Sequence, residues 1–295
     1  MYHSSLILEG GGMRGLFTSG VLDYFLDKKI EFEKIYAVSA GTGNASNYLA
    51  KQKGRTYTVN TKYRGDKHFA SLYSLITTGD YFGKEFQLKT LPEKLYPYDY
   101  ETFEKSQTEF YAVATNCESG KAEYFKVKHL PKDTEYIWAS SSLPLLARLV
   151  DINGGKYLDG GVSDSIPIIK SLKDGNKKNV IILTRDREYR KEPSKMIHII
   201  EKKYKKYPNL VEAIKKRHII YNRTLEFIEK HEQAGHIFVI RPQEKVKIKR
   251  LEKDEKKLEA LYESGYETAR ECYDDMLTYL TTSFKRKVQE EESLS

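Results

Sequence analysis

Hydrophobic residues near the amino terminus form short runs that alternate with glycines and with helix-spaced segments. Residues 5–9 (SLILE) are an apolar run that predicts a first buried strand. A glycine loop at 10–15 follows, and apolar residues at helical spacing then continue over 16–28. A second short run at 35–38 predicts a strand, and 40–51 predicts a helix rich in small residues. This order of elements predicts an α/β fold with a parallel sheet.

The middle of the chain is rich in aromatic residues. Residues 56–106 carry many tyrosines and phenylalanines, and glycines and prolines interrupt the pattern. We expect short helices and loops over the C-terminal edge of the sheet, where such folds bind ligands. The aromatic side chains belong either to the core or to an acyl pocket. The same criteria predict strands at 110–115, 122–127 and 180–183, a helix over 137–146 and a hairpin turn at 154–155.

The pattern changes after residue 184. Residues 186–235 and 251–287 are charged and helix-periodic, and a short strand is expected at 237–240. We therefore predict one domain over residues 1–188 and a mainly helical C-terminal region over residues 189–295.

Charge and composition limit the function. The chain has 50 Lys and Arg against 42 Asp and Glu, a net charge of +8 with both signs interspersed. A solvated surface accounts for this excess, so no nucleic-acid partner is predicted, although peripheral contact with an anionic membrane surface stays open. The cluster Lys245, Lys247, Lys249 and Arg250 fits either a solvated face or such an interface.

No apolar run approaches the ~18–20 residues that a membrane-spanning helix needs. The amino terminus also lacks the pattern of a secretory signal. Cys117 and Cys272 lie far apart and have no metal-ligand spacing, which favours free thiols in a reducing compartment. We therefore expect a cytoplasmic protein. The sequence implies no metal and no cofactor, and it does not indicate the oligomeric state.

The glycine loop is the first candidate for chemistry. Gly10, Gly11 and Gly12 precede Met13-Arg14-Gly15 and the start of a predicted helix. Backbone N–H groups at such a place can stabilise the negative oxygen of a phosphate or of an oxyanion hole. The spacing also fits the dinucleotide pattern G-x-G-x-x-G. Dinucleotide binding needs an acidic residue at the end of the second strand, where Ser39 stands instead. Nucleotide binding and a glycine turn without a ligand remain alternatives.

Ser39 lies on the turn between the second strand and its helix, within Ala37-Val38-Ser39-Ala40-Gly41. A serine on such a sharp turn projects its hydroxyl above the sheet and needs small neighbours, as Ala37 and Gly41 are. The N–H of Ala40 can help to hold an oxyanion. The alternative is that Ser39 only caps the helix.

Asp159 opens the sequence Asp159-Gly160-Gly161 after the predicted hairpin. A carboxylate that accepts a proton directly from a serine hydroxyl can act as general base. Its ordinary pKa is about 3.9, so burial would have to raise it. The alternative is an aspartate that only shapes a turn.

Taken together, the glycine loop, the Ser39 turn and Asp159-Gly160-Gly161 resemble the patatin-like phospholipase family. Residues 139–144 (ASSSLP) are similar to that family's Ala-Ser-x-x-x-Pro segment. The resemblance covers roughly residues 5–185, and the tail is similar to the C-terminal region of one bacterial branch.

The resemblance implies a three-layer α/β/α sandwich and hydrolysis of acyl esters of lipids by a Ser–Asp dyad without histidine. It implies Ser39 as nucleophile, Asp159 as base and an acyl-serine intermediate, with no metal or cofactor. The oxyanion and substrate-binding groups would be Gly10, Gly11, Gly12, Arg14 and Ala40. Arg14 would pair with a carboxylate or meet a lipid phosphate.

Two positions depart from the family pattern. Ala37 replaces the glycine of the serine turn, and Ser165 stands where the family often has an asparagine that braces the aspartate loop. They support the alternative of a binding or scaffold protein that keeps the fold without turnover. A serine peptidase, and a Ser–His–Asp triad using His68 or His129, are further alternatives.

Overall fold

The computed structural model describes residues 1–282 and contains one sheet of eight strands within them. The strands are β1 (Tyr2–Leu8), β2 (Phe32–Val38), β3 (Glu109–Asn116), β4 (Ala122–Val127), β5 (Val150–Ile152), β6 (Gly155–Asp159), β7 (Asn179–Ile182) and β8 (Phe238–Ile240). The helices are α1 (Gly15–Asp27), α2 (Ala40–Leu49), α3 (Arg55–Lys62), α4 (Leu72–Thr78), α5 (Tyr100–Lys105), α6 (Thr134–Ser141), α7 (Ile168–Lys173), α8 (Ile197–Lys203), α9 (Pro208–Gln233), α10 (Glu255–Glu271) and α11 (Tyr273–Thr281).

The sheet is largely parallel, which confirms the prediction from the alternation of elements. Its order is β5-β6-β3-β2-β1-β7-β8, and β4 also pairs with β3. The strands from β3 through β2, β1 and β7 to β8 run parallel, whereas β4, β5 and β6 join by antiparallel pairing. Parallel strands need crossover connections, and helices such as α1 supply them.

Helices cover both faces of the sheet. In β1, Leu6 and Leu8 belong to one apolar core, which includes residues of α1, α2 and α10. The intervening Ile7 faces the opposite core, where Leu225 and Ile228 of α9 pack. Because successive strand side chains point to opposite faces, these two cores place the sheet between two helical layers. The three-layer α/β/α architecture is therefore confirmed.

The C-terminal region is mainly helical over the described residues, as expected. It consists of α8, α9, α10 and α11 with the single strand β8, which pairs with β7 of the main sheet. Helix α10 packs closely on α1. A Cβ added at Gly265 of α10 would lie only 2.0 Å from the carbonyl oxygen of Phe17 in α1, so only glycine fits at this contact. The boundary at residue 188 stays a prediction.

Four local predictions differ from the structure. Residues 186–196 are not helical, and residues 204–207 separate α8 from α9. The stretch predicted over 251–287 divides at Cys272, and residues 283–287 lie outside the described part. The helix predicted over 137–146 ends at Ser141, because Pro144 disfavours helical backbone in the residue before it. The hairpin turn is Asn153–Gly154, where both residues have positive φ, and Gly155 already begins β6.

Within residues 1–282, no helix is both long and apolar enough to cross a membrane.

Candidate active site

Ser39 occupies a strained turn between β2 and α2. Its backbone has φ 53° and ψ −125°, a region that residues with a side chain rarely adopt. The glycine loop packs directly against it: a Cβ built at Gly10 would lie 3.0 Å from Ser39 Cβ and 3.1 Å from the Val38 carbonyl oxygen. Only a glycine at position 10 lets the two loops approach this closely.

The pairing of β3 brings Ser39 and Asp159 together across 120 residues of sequence. Val38, the last residue of β2, pairs with Val113 of β3, and Asp159 of β6 pairs with the next β3 residue, Ala114. Because β4 pairs with the other edge of β3, β2 and β6 lie one after the other along the same edge of β3. The Ser39 hydroxyl donates a hydrogen bond of 2.6 Å to Asp159 Oδ2.

The carboxyl group of Asp159 is buried, with 2% of the residue exposed. Its second oxygen, Oδ1, accepts a hydrogen bond of 2.7 Å from the Gly161 N–H. Burial raises the pKa of Asp159 above its ordinary value, and the hydrogen bond from Ser39 and the charges of Arg217 and Arg250 oppose that rise. A buried carboxylate with a raised pKa is a better proton acceptor than an exposed one.

The segment over residues 139–144 holds both groups in place. Ser140 Oγ accepts a hydrogen bond of 3.0 Å from the Ser39 N–H, and the Ser142 carbonyl oxygen accepts one of 2.8 Å from the Asp159 N–H. The Ala-Ser-x-x-x-Pro pattern marks this segment in the sequence, but it predicts no role for these two serines. That pattern, upstream of the aspartate, was the available signal.

The glycine loop presents backbone N–H groups beside Ser39. The N–H groups of Gly10, Gly11, Gly12 and Ala40 donate to no acceptor within residues 1–282. The loop itself is fixed further along, where the Met13 N–H donates a hydrogen bond of 3.0 Å to the carbonyl oxygen of Arg250. Free donors at a helix start suit a developing negative oxygen.

A cavity of about 260 Å³ opens beside Ser39, and its walls are largely apolar. Gly12, Ser39 and Ala40 line it together with several polar side chains: Asn44, Ser46, Asn47, Arg55, Thr56, Asn60, Gln87, Thr134 and Ser141. Apolar and aromatic residues line the rest: Leu16, Val59, Phe69, Phe82, Leu88, Leu91, Tyr98, Tyr100, Leu130, Ile137, Trp138 and Leu143. The aromatic stretch over 56–106 therefore contributes both to this cavity and, through residues such as Phe103, to the core.

Ser39, Asp159 and the glycine loop lie in a part of the chain that matches a known family. A model of the patatin-like phospholipases matches residues 6–170, which is more than half of the chain. The chain belongs to the patatin-like phospholipase family. A second model, for a domain of unknown function (DUF6363), matches residues 207–281.

Two relatives and one solved structure are similar to long stretches of the chain. The uncharacterized protein YjjU of Escherichia coli (strain K12) is 29% identical over 254 residues, which cover 81% of this chain and 68% of that protein. The probable lipid hydrolase 463L of Invertebrate iridescent virus 6 is 25% identical over 195 residues, covering 60% of this chain and 66% of that protein. The crystal structure of VipD from Legionella pneumophila aligns with a TM-score of 0.47 and 13% identity, over 93% of this chain and 67% of that one.

Arg14 of the patatin-like loop is buried and does not line the cavity beside Ser39. Its Nη1 donates to the Ile248 carbonyl oxygen at 3.4 Å, and it forms no ion pair within residues 1–282. Burial, together with the charges of Arg185 and Arg250, lowers the pKa of Arg14 to about 10. Neither a carboxylate partner nor a lining position in the cavity is found for it.

The histidines considered for a triad lie elsewhere. His68 contacts Asp66, and His129 lies 3.5 Å from Glu104, at exposed positions. Neither hydrogen bonds with Ser39 or Asp159. The structure therefore does not support the alternative of a triad through these two residues.

The two departures from the patatin-like pattern fit the local structure. Ala37 is fully buried in β2, where it pairs with Leu8 and Ala112. Ser165 Oγ donates a hydrogen bond of 2.7 Å to the Gly161 carbonyl oxygen and so braces the loop that follows Asp159.

Within residues 1–282, no three His, Cys, Asp or Glu side chains form a group that could hold a metal ion, and both cysteines are free thiols.

Proposed function

We propose that this protein is a serine acyl-hydrolase that cleaves carboxylic ester bonds of lipid-like substrates through an acyl-Ser39 intermediate. One observation carries the proposal: the hydroxyl of a serine on a strained strand-to-helix turn donates a 2.6 Å hydrogen bond to the buried Asp159. Membership of the patatin-like family supports lipid substrates. The viral relative is named a probable lipid hydrolase, which supports the same class.

The first half of the reaction follows from this geometry. Asp159 Oδ2 takes the hydroxyl proton while Ser39 Oγ bonds to the ester carbonyl carbon. The carbonyl oxygen becomes negative, and the N–H groups of Gly10, Gly11 and Gly12, with Ala40, stabilise it. When the tetrahedral intermediate collapses, the ester C–O bond breaks, Asp159 returns the proton to the leaving alcohol, and the acyl group stays on Ser39.

The second half repeats these steps with water as nucleophile. Asp159 accepts a proton from the water, the new oxygen bonds to the acyl carbon, and Ser39 leaves with the proton that Asp159 held. The acid is released and the free serine is restored. The apolar cavity beside Ser39 would hold the acyl chain, because its aromatic and aliphatic lining removes hydrocarbon from water.

Hydrolysis of para-nitrophenyl esters of graded acyl chain length tests this proposal. We expect turnover by the wild type, with kcat/KM rising from short to medium chains as more of the cavity is filled at about 0.8 kcal/mol per buried methylene. Ser39→Ala should lose turnover on every ester while keeping the melting curve of the wild type. Turnover by Ser39→Ala equal to that of the wild type would exclude Ser39 as nucleophile.

The pH profile of kcat/KM provides a second prediction. Only the ionised Asp159 accepts the proton, so activity should rise with pH through the pKa of this carboxyl, which burial places above its ordinary value of 3.8. The positive charge of Arg217 lowers that pKa. Arg217→Gln should therefore move the acid limb to higher pH, measured on an uncharged ester. Arg223→Gln, an exposed change of the same kind on α9, is the control, and an unmoved limb in Arg217→Gln would contradict the assignment of Asp159.

A further inference from the structure

A second cavity, of about 660 Å³, is lined in part by residues that neighbour the candidate active site. Val162, directly after Asp159-Gly160-Gly161, lines it on one side. Arg250 lines it on another, and the carbonyl oxygen of Arg250 holds the Met13 N–H of the glycine loop. Gly12 and Met13 in turn line the first cavity. The second cavity also comes close to Asp159, because a Cβ built at Gly161 would lie 2.9 Å from Asp159 Oδ1 and 3.1 Å from Nη2 of Arg217, which lines that cavity.

Four half-buried cationic side chains line this second cavity without an ion pair, and the exposed Lys245 lines it as well. Arg185, Lys191, Arg217 and Arg250 form no ion pair within residues 1–282. The Nε atoms of Arg185 and Arg217 are buried and donate to no acceptor in the same part of the chain. In the basic cluster of the sequence analysis, Lys245, Lys247 and Lys249 are exposed, as a solvated face or an anionic interface requires, whereas Arg250 is half-buried.

The acidic residues of the lining form no ion pair with these four cations, and the carboxylates that act on them by charge, Glu9 on Lys191 and Asp159 on Arg217 and Arg250, do not line the cavity. Asp186 accepts a hydrogen bond of 3.2 Å from the Val246 N–H, and Glu188 and Glu192 are exposed. Arg190 also lines the cavity but is already paired with Glu229. Unpaired and partly desolvated charges of one sign are unfavourable unless a ligand of opposite charge binds among them.

Lys191 lies close to several other positive charges. Its backbone is fixed to α9 by two hydrogen bonds with the Asn222 side chain, and its Nζ lies 4.2 Å from the centre of the Tyr221 ring. Burial, with the charges of Arg217, Arg250 and Arg14, lowers the pKa of Lys191 to about 7 even though Glu9 opposes the shift. Burial also lowers the pKa of Arg217. Binding of an anion would relieve both costs.

We propose that Arg185, Lys191, Arg217 and Arg250 form a binding site for a phosphate group. Guanidinium groups match phosphate oxygens with paired N–H donors, and four cations around one cavity suit a dianion. The phosphate belongs either to the headgroup of a lipid whose ester carbonyl sits at Ser39 or to a free phosphate compound. The headgroup source rests on the proposed hydrolase function, because it places the acyl chain in one cavity and the phosphate in the other.

Calorimetric titration with inorganic phosphate tests the site without any hydrolysis. We expect the wild type and Ser39→Ala to bind phosphate with equal affinity, and Lys191→Gln to bind at least about tenfold more weakly through the loss of one charge-assisted contact. The matched control is Lys195→Gln, which removes an exposed lysine outside the cavity and should bind like the wild type. Because Lys191→Gln relieves repulsion, its melting temperature should not fall.

The second arm identifies the source of the phosphate. The ratio of kcat/KM for lysophosphatidic acid to that for a monoacylglycerol of the same chain should fall about tenfold in Lys191→Gln and stay constant in Lys195→Gln. If the wild type binds phosphate but Lys191→Gln leaves the ratio of the two kcat/KM values unchanged, the site belongs to a free phosphate compound. Absence of phosphate binding by the wild type, or equal binding by Lys191→Gln, would overturn the site. Phosphate binding by a wild type that hydrolyses no ester would reject only the hydrolase function.

Discussion

Asp159→Asn is expected to lower kcat for an acyl ester by roughly 10⁴- to 10⁶-fold, the range seen when members of a serine-hydrolase triad are removed one at a time. The amide has nearly the same shape as the carboxyl group, but it cannot take the proton that Ser39 now donates to Asp159 Oδ2. The fold should tolerate the change, because burial disfavours the charged form of this carboxyl. Steady-state kinetics on a para-nitrophenyl ester, with a melting curve for each protein, measure both expectations.

Asp164 supplies a matched control for that experiment. It is a second carboxyl close to Asp159 in sequence, burial raises its pKa to about 6, and it accepts a hydrogen bond of 2.7 Å from the Tyr124 hydroxyl rather than from Ser39. Asp164→Asn should therefore keep most of the turnover. Undiminished turnover in Asp159→Asn would reject the Ser–Asp dyad.

Gly12→Ala is expected to lower kcat by about 10²–10³-fold, as the loss of an oxyanion-hole donor does. Gly12 has φ +58°, and an added Cβ would lie 2.6 Å from the Arg250 carbonyl oxygen, so the loop must shift and carry its N–H groups away from the reacting carbonyl. Ester kinetics measure the loss, and KM should change less than kcat because the donors act mainly in the transition state.

Gly54→Ala separates this effect from general backbone strain. Gly54 also has a positive φ, +73°, but nothing surrounds its Cβ position and it does not line the cavity beside Ser39. Gly54→Ala should lose stability on the order of 1 kcal/mol from the positive φ alone and keep its kcat. Full kcat in a folded Gly12→Ala protein would remove the glycine loop from the proposed mechanism.

The parts of the site that could be predicted are those with local constraints. A strand, a loop of glycines and a helix are written into neighbouring residues, and only glycine allows position 10 to approach Ser39 so closely. The family pattern then connected Ser39 with Asp159. The register of β3, which aligns Val113 with Val38 and Ala114 with Asp159, gives the physical reason for that connection.

The remaining features depend on contacts between distant segments, which one sequence does not reveal. Ser140 and Ser142 contact Ser39 and Asp159 only because α6 ends beside them. The sequence places Arg250 in a basic cluster that fits either a solvated face or an anionic interface, yet its carbonyl oxygen accepts a hydrogen bond from the glycine loop and its side chain lines a cavity. The C-terminal helices looked separate in composition, although α10 packs tightly on α1.

Reaction with a fluorophosphonate probe, followed by intact mass and peptide mapping, tests the reactivity of Ser39 directly. The account predicts one covalent adduct on the wild type, located on Ser39, and none on Ser39→Ala. Labelling of the two proteins to the same extent, or an adduct at another residue, would contradict it.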